Sequence, residues 1–188
     1  MPIITYLGST INEYIVKALF ILEALEFYCP VCGEKMSYHA KYPRHIKDKK
    51  ATIWIYRYKC KRKGCNTTKA ILPDFLIPYK QYSGDEIESV LLDSVEKKPE
   101  DIDNTSASIA TIRRWIHEYK DTTKTWISHL KSIYLTQTGR IISEIKLNCP
   151  YMEQLSIILE HLPAIKTCGN IMGAAMIYIS AYQNQEFT

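Results

Sequence analysis

The stretch YRYKCKRKGCN, residues 56–66, decides the fold because it joins a strand pattern to a pair of cysteines within a run of positive charge. The longer segment ATIWIYRYKC is rich in β-branched and aromatic residues, which is typical of a β-strand. Cys60 ends this segment, and Cys65 follows it across Lys61, Arg62, Lys63 and Gly64. The sequence therefore predicts a strand that ends in a cysteine-bearing turn.

A second cysteine pair, Cys29 and Cys32, lies upstream in the stretch CPVCG. Between the pairs, MSYHAKY predicts a partner strand, and the polar, basic stretch YPRHIKDKK predicts a connecting loop. Gly33 and Gly64 permit tight turns that let backbone N–H groups approach sulfur. Four thiolates at such spacings suit a tetrahedral Zn²⁺ site of the zinc-ribbon type. We predict one structural zinc ion, bound by Cys29, Cys32, Cys60 and Cys65.

Other interpretations of the cysteines stay open at this point. The four could be unrelated buried thiols, CPVC could be a redox motif, or His39 or His45 could replace one cysteine as a ligand. A catalytic zinc ion would need an open coordination position, which four cysteines would close. Cys149 and Cys168 have no partner pattern, and we expect them to be free core thiols.

Positive charge is concentrated in one part of a chain that is otherwise ordinary in composition. The protein has 188 residues, 46% hydrophobic and 23% charged, with a formal net charge of +4. From residue 34 to residue 63, lysine and arginine far outnumber the only two acidic residues, Glu34 and Asp48. A zinc ion with four thiolates has a formal charge of about −2, so one or two of these cations could offset it. The surplus favours phosphate contacts over a merely solvated face.

The stretch SASIATIRRWIHEYK predicts a helix that begins after Ser108 and presents an arginine pair near its N-terminus. In helix-turn-helix proteins the N-terminal residues of the second helix contact base edges. We therefore predict nucleic-acid contacts from two groups of side chains, in the basic strand and turn and in this helix: Arg57, Lys59, Lys61, Arg62, Lys63, Thr111, Arg113 and Arg114.

Other segments predict helices and an extended linker. Residues 11–28 show a helical apolar period, although FILEALEFY could instead be a strand. ILPDFLIPYKQYS contains two prolines and predicts an extended linker whose Ile71, Leu72, Phe75, Leu76 and Tyr79 pack on neighbouring elements. SGDE predicts a capping box, with Ser83 as the helix cap and Glu86 as its partner. The helix after Ser108 continues to Gly139, and two or three short helices follow.

The motifs CPVCG, YRYKCKRKGC, AILPDFLIPYKQYS and TIRRWI, in this order, resemble an uncharacterised bacterial domain family. Members of that family pair an N-terminal zinc ribbon with a helix-turn-helix and often resemble the front end of transposases. The resemblance covers roughly residues 29–120. It implies that the four cysteines are metal ligands, that residues 111 and 113–115 belong to a helix-turn-helix, and that the protein binds DNA. It implies no known reaction.

The predicted fold class is α+β: a small zinc-ribbon β module followed by a mostly α-helical helix-turn-helix and a helical tail. We expect a lead-in at residues 1–28, the ribbon and linker at 29–82, the helix-turn-helix region at 83–130 and the tail at 131–188.

The predicted function is that of a zinc-stabilised, non-enzymatic, double-stranded DNA-binding protein linked to transposition or transcription. The alternative is a protein–protein adaptor that docks onto a larger nucleic-acid machine, with a possible protein partner at the C-terminal helices. RNA is a third candidate partner. We expect no membrane and no small-molecule substrate, and cysteine usage without a secretory segment favours the cytoplasm.

Overall fold

The computed structural model describes residues 2–142, 150–167 and 169–185, where a four-stranded sheet is combined with five α-helices. The elements are β1 Ile3–Thr5, α1 Ile11–Ala24, β2 Met36–Ile46, β3 Ala51–Cys60, β4 Thr68–Pro73, α2 Gly84–Asp93, α3 Ile109–Thr138, α4 Tyr151–His161 and α5 Ile171–Gln185. Apart from α1, the strands precede the helices. The predicted α+β class is therefore confirmed.

The sheet has the order β1-β4-β3-β2. β3 is antiparallel to both of its neighbours, whereas β1 runs parallel to β4 at the other edge. The short strand β1 was not predicted from the sequence. Three residues are too few for a periodic pattern to be recognised, and β1 exists because Ile3 and Ile4 are buried beside Ile71 and Leu72.

The hairpin β2–β3 is longer than the sequence suggested. The predicted loop YPRHIKDKK is wrong for residues 42–46, which continue β2, and only residues 47–50 form the turn. Pro43 is tolerated because β2 is an edge strand, one side of which has no neighbouring strand to accept a backbone N–H. Ile46 is buried at the end of the strand and holds this extension against the core.

α1 has the predicted helical apolar period, and it runs to Ala24, so the strand alternative for this segment is wrong. Tyr14, Ala18 and Leu22 form its buried face. The Tyr14 hydroxyl donates a hydrogen bond to the backbone oxygen of Trp54 at 2.7 Å, which fixes the helix to β3. The opposite face exposes four apolar side chains, Ile15, Val16, Leu19 and Phe20.

The predicted linker begins in β4, and four of its five apolar positions are buried: Ile71 and Leu72 in β4, and Phe75 and Leu76 after it. Tyr79 is the exception, because 89% of it is exposed to solvent. Its backbone φ of 64° lies in the left-handed region that non-glycine residues seldom adopt. The prediction that Tyr79 packs on a neighbouring element is therefore wrong, since this backbone conformation directs the chain, and the side chain with it, away from the core.

Both predicted serine caps are present. The hydroxyl of Ser83 accepts a hydrogen bond from the backbone N–H of Glu86, and the hydroxyl of Ser108 accepts one from that of Thr111. The capping box of α2 is only half formed. The backbone N–H of Ser83 donates to Asp48 at 2.9 Å, and the Glu86 carboxylate instead accepts bonds from the loop before α3, from Thr105 and Ser106.

The connection between α2 and α3, residues 94–108, contains one 3₁₀ turn at Pro99–Asp101. A compact helix-turn-helix joins its helices by about three or four residues. Because this connection is longer, the spacing of α2 and α3 does not confirm a helix-turn-helix, which stays a prediction. α3 continues for 30 residues and ends at Gly139, whose φ of 67° terminates the helix as predicted.

The sheet and the helices share one core. Its helical part is formed by fully buried side chains of α3, α4 and α5, among them Leu130, Leu155, Ile158 and Met172. β1 reaches the same core, because the backbone N–H of Ile4 donates to the hydroxyl of Ser180 on α5 at 3.2 Å. Among the described residues, none of the helices combines the length and the apolar character that crossing a bilayer demands.

Candidate metal centre and basic surface

Cys29 and Cys32 lie in a tight hairpin turn, which we call the first knuckle (residues 29–34). The backbone N–H of Cys29 donates to the oxygen of Glu34, and the N–H of Gly33 donates to the oxygen of Cys29, both at 2.8 Å. Gly33 has a φ of 70°, a conformation that glycine adopts without steric cost. This turn therefore depends on the glycine that the sequence places directly after Cys32.

Cys60 and Cys65 lie in a second turn at the end of β3, the second knuckle (residues 60–67). The backbone N–H of Cys60 donates to the oxygen of Thr67 at 3.0 Å, and the N–H of Cys65 donates to the oxygen of Arg62 at 3.1 Å. Gly64 takes a φ of 83°. This turn accommodates the wider spacing of the cysteine pair, and it places both sulfur atoms on the side that faces the first knuckle.

The four sulfur atoms lie within 4.8 Å of one another. Two of the separations join the two knuckles: 3.7 Å from Cys29 to Cys65 and 3.5 Å from Cys32 to Cys60. A tetrahedral ion with metal–sulfur bonds of ~2.3 Å requires sulfur–sulfur separations of about 3.8 Å. A disulfide would require ~2.05 Å. The sulfur cage therefore has the size of a four-thiolate metal site, and the four cysteines could bind a metal ion such as zinc.

Hydrogen bonds and burial act differently on the four thiols. Bonds from the side chain and backbone of Thr67 lower the pKa of Cys65 to about 6. Burial alone would raise the pKa of Cys29, but hydrogen bonds from the backbone N–H groups of Val31 and Cys32, together with side-chain bonds to Thr67 and Cys32, lower that pKa. Burial raises the pKa of Cys60 to about 12. The turns thus supply donors that stabilise thiolate at two positions, and a bound cation would favour it at all four.

The competing interpretations of the cysteines lose support from this geometry. The grouped ligand atoms among the described residues are those of the four cysteines, and neither His39 nor His45 joins them. His45 lies at the opposite end of β2, where its Nδ1 is 3.2 Å from the hydroxyl of Thr52. CPVC forms a hairpin turn and does not join a strand to a helix, as a thioredoxin-like redox motif would. Cys149 and Cys168 lie outside the described residues.

The basic side chains of the second knuckle face solvent. Lys61, Arg62 and Lys63 are exposed, and none has a side-chain partner in the part of the chain that the structure describes. The backbone of Arg62 contacts the cluster, because its N–H lies 3.4 Å from the Cys60 sulfur, while its side chain does not. The cations therefore remain available to an external anion.

Arg57 and Lys59 share one face of the sheet. Side chains alternate along a strand, so Arg57 and Lys59 lie on the same face as the buried Ile53 and Ile55 of β3. Near the hairpin turn that face is covered by the core, and near the second knuckle it is open. Arg57 lies between Ala40 of β2 and Ala70 of β4, whose small side chains leave it exposed.

The predicted helical contacts lie at the other end of the hairpin. Arg114 is exposed and lines a cavity of about 390 Å³ together with Thr111 and Lys47. Arg113 forms an ion pair with Glu100. The ten residues of β3, at about 3.3 Å each, separate this end from the second knuckle by roughly 30 Å. The predicted contacts therefore form two groups and not one cluster.

Further basic and aromatic residues lie between the two groups, and the sequence analysis did not single them out. A cavity of about 430 Å³ opens beside β4, and Tyr42, Arg44, Tyr79 and Lys80 are among its lining residues. The Arg44 guanidinium donates to the backbone oxygens of Ile77 and Lys80. The sequence could have indicated these positions, because they belong to a region rich in basic residues and tyrosine. Their grouping around one cavity, however, depends on how the linker folds.

Residues 29–115 match the model of one protein family, described as a domain of unknown function (DUF6431). The match begins at the first cysteine and ends within α3, so it includes both knuckles, strands β2 to β4 and α2. The comparisons with curated proteins and with solved structures found no match. Over this segment the chain is thus similar to a domain for which the family description gives no function.

Proposed function

We propose that this protein is a non-enzymatic, zinc-stabilised protein that binds double-stranded DNA in transposition or transcription. The observation that supports this most is a basic track along one side of the molecule. It runs from the second knuckle, over the open sheet face, to the N-terminus of α3. We define the track by its unpaired or solvent-facing cations: Arg57, Lys59, Lys61, Arg62, Lys63 and Arg114.

The dimensions of the track suit a duplex. Its ends are roughly 30 Å apart, close to the ~34–36 Å that separate successive turns of the same groove in B-DNA. In this proposal the knuckle cations bind phosphates, and Thr111 and Arg114 enter the groove about one turn away. The zinc ion takes no part in a reaction. It holds the second knuckle rigid so that Lys61, Arg62 and Lys63 keep their spacing from α3.

Salt dependence of binding tests the proposal. Affinity for a blunt 20-base-pair duplex, measured by fluorescence anisotropy, should fall steeply with salt, with a slope of about −0.9 per phosphate neutralised. Replacing Lys61, Arg62 and Lys63 by alanine should reduce that slope by two to three phosphate equivalents and leave the metal content unchanged. Lys124→Ala, which removes a cation of α3 outside the track, is the control and should leave the slope intact.

The adaptor alternative uses the same cations, because an acidic protein could bind to the track. Absence of duplex binding at 20 mM salt, with folded and metal-loaded protein, would reject the DNA proposal and leave the adaptor. An RNA duplex that competes for the protein as well as the DNA duplex does would contradict specific recognition of DNA, because the grooves of A-form RNA differ in shape from those of B-DNA.

A further inference from the structure

The linker segment of residues 79–81, which we call the strap, divides a cleft into two cavities. The cavity of about 430 Å³ lies on the side of β4, and the cavity of about 390 Å³ lies on the side of α3. Tyr79, Lys80 and Gln81 line both. The two spaces are therefore neighbouring compartments of one cleft, and the strap is their shared wall.

The backbone of the strap is held by hydrogen bonds to β2 and the hairpin turn, whereas the side chain of Tyr79 is exposed to solvent. The Arg44 guanidinium donates to the backbone oxygens of Ile77 and Lys80. The backbone N–H of Lys47 donates to the backbone oxygen of Gln81 at 2.7 Å. On this held backbone Tyr79 adopts φ 64° with 89% of its surface exposed. A bulky residue in this conformation costs free energy, and an exposed ring gains no burial that would offset it. The core does not explain why a tyrosine stands here.

The cleft has an excess of positive charge. Arg44, Lys47, Lys80 and Arg114 line its two compartments, against the single carboxylate of Glu118, which pairs with Lys80 at 2.5 Å. Arg114 has no side-chain partner within the described ranges. The Lys47 ammonium lies 5.7 Å from the ring centre of Tyr82, at the edge of the second compartment. An anionic ligand would therefore find cations on both sides of an exposed aromatic ring.

We propose that this cleft binds an unpaired nucleotide of single-stranded DNA, with its base stacked on Tyr79 and its flanking phosphates in the two cationic compartments. A compartment of this size admits a base or a sugar–phosphate unit but not a duplex. Exposed aromatic rings inside a positively charged groove are the usual means of holding single strands. The choice of DNA as the polymer rests on the proposed function, whereas the stacking site does not require duplex binding.

Two substitutions of Tyr79 separate stacking from folding. Asparagine tolerates the left-handed conformation, so Tyr79→Asn removes the ring without adding strain, and its melting temperature should not fall. Tyr79→Phe retains the stacking surface and loses only the hydroxyl. Tyr38→Asn is the matched control, since Tyr38 is also exposed but lies opposite Tyr58, on the other face of the sheet.

The test measures binding of a fluorescent twelve-nucleotide oligothymidine and of the blunt duplex to each variant. We expect Tyr79→Asn to weaken oligothymidine binding about tenfold and duplex binding less than twofold. Tyr79→Phe and Tyr38→Asn should bind oligothymidine like the original protein. Oligothymidine binding that depends on Tyr79 supports the inference even if the duplex does not bind, in which case only the proposed function fails.

Three results would overturn the inference. The first is that oligothymidine does not bind at all, and the second is that it binds Tyr79→Asn as tightly as it binds the original protein. In the third case, Tyr38→Asn would abolish binding and Tyr79→Asn would not, which would assign the single strand to the other face of the sheet.

Discussion

The knuckle end of the sheet and the helical half of the molecule are stabilised by different means. At the knuckles the buried residues are chiefly Cys29 and Cys60 with Phe27 and Met36, and the turns have few aliphatic neighbours. In the helical half, α3, α4 and α5 enclose fully buried side chains such as Leu130 and Leu155. We expect the knuckle end of the sheet to depend on ligation of a metal ion, whereas the helical half depends on burial of apolar surface.

The two means differ in magnitude and in range. Binding of structural zinc contributes about 10–16 kcal/mol in small isolated zinc-binding peptides, whereas a single buried leucine contributes about 2–5 kcal/mol. Loss of the metal should unfold the turns that have little else to hold them. Loss of one leucine should weaken the whole cooperative core. We therefore expect that the stability of the knuckles and the stability of the helical core can be changed separately.

The largest effect is expected from removal of a metal ligand. Cys60→Ser should reduce bound zinc, measured by elemental analysis, from one ion per chain to less than about 0.2. Hydrogen exchange should become fast in residues 29–36 and 58–67, while the helical circular dichroism is largely kept. The control is Val31→Ser, which changes an exposed residue between two ligands of the same knuckle and should keep the metal. Collapse of the helical signal in Cys60→Ser would contradict the comparison.

A smaller effect is expected from a cavity in the helical half. Leu130 is fully buried on α3, and Leu130→Ala should lower the free energy of unfolding by about 2–5 kcal/mol in urea titrations. Leu135→Ala removes the same atoms from the same helix at a position that is 46% exposed, and should cost less than about 1 kcal/mol. Zinc content should stay at one ion per chain in both variants. Zinc lost from Leu130→Ala would show that the two ends are not independent.

The smallest of these effects concerns the junction between the two regions. Ser83 caps α2 and also donates to the carboxylate of Asp48 in the hairpin turn, at 2.6 Å. The Asp48 side chain is almost fully buried. Ser83→Ala should therefore cost about 2 kcal/mol, since it removes a cap and leaves a buried carboxylate with fewer donors.

Ser108→Ala is the matched control for that junction, because Ser108 caps α3 without a carboxylate partner. A cap alone is worth about 1 kcal/mol. Equal losses of unfolding free energy in the two variants would mean that Asp48 adds nothing to the connection between sheet and helices.

The parts of the fold that could be predicted are those with a local cause. The bounds of β3, the two serine caps and the helix end at Gly139 each depend on residues adjacent in sequence. The grouping of the four cysteines was also predictable, because turn geometry and spacing alone limit where a C-x2-C turn directs its sulfurs.

The parts that were missed depend on partners far away in sequence. The extension of β2 through Pro43 could be predicted only with the knowledge that β2 is an edge strand. Glu86 does not form its local capping bond, because the N–H of Ser83 donates to Asp48 instead and the Glu86 carboxylate accepts from Thr105. Tyr79 illustrates the same limit. Its apolar neighbours predicted burial, but Arg44, from another strand, fixes the backbone in a conformation that exposes it.

The bond between Ile4 and Ser180 has a consequence for biosynthesis. Its two partners are 176 positions apart, so at the usual translation rate of about 5–20 residues per second the ribosome needs roughly 10–35 seconds to supply the second after the first. All four cysteines emerge long before that. We therefore expect that the nascent chain can acquire the proposed metal ion while β1 still lacks α5, and that the knuckle end is the first part of the protein to mature during translation.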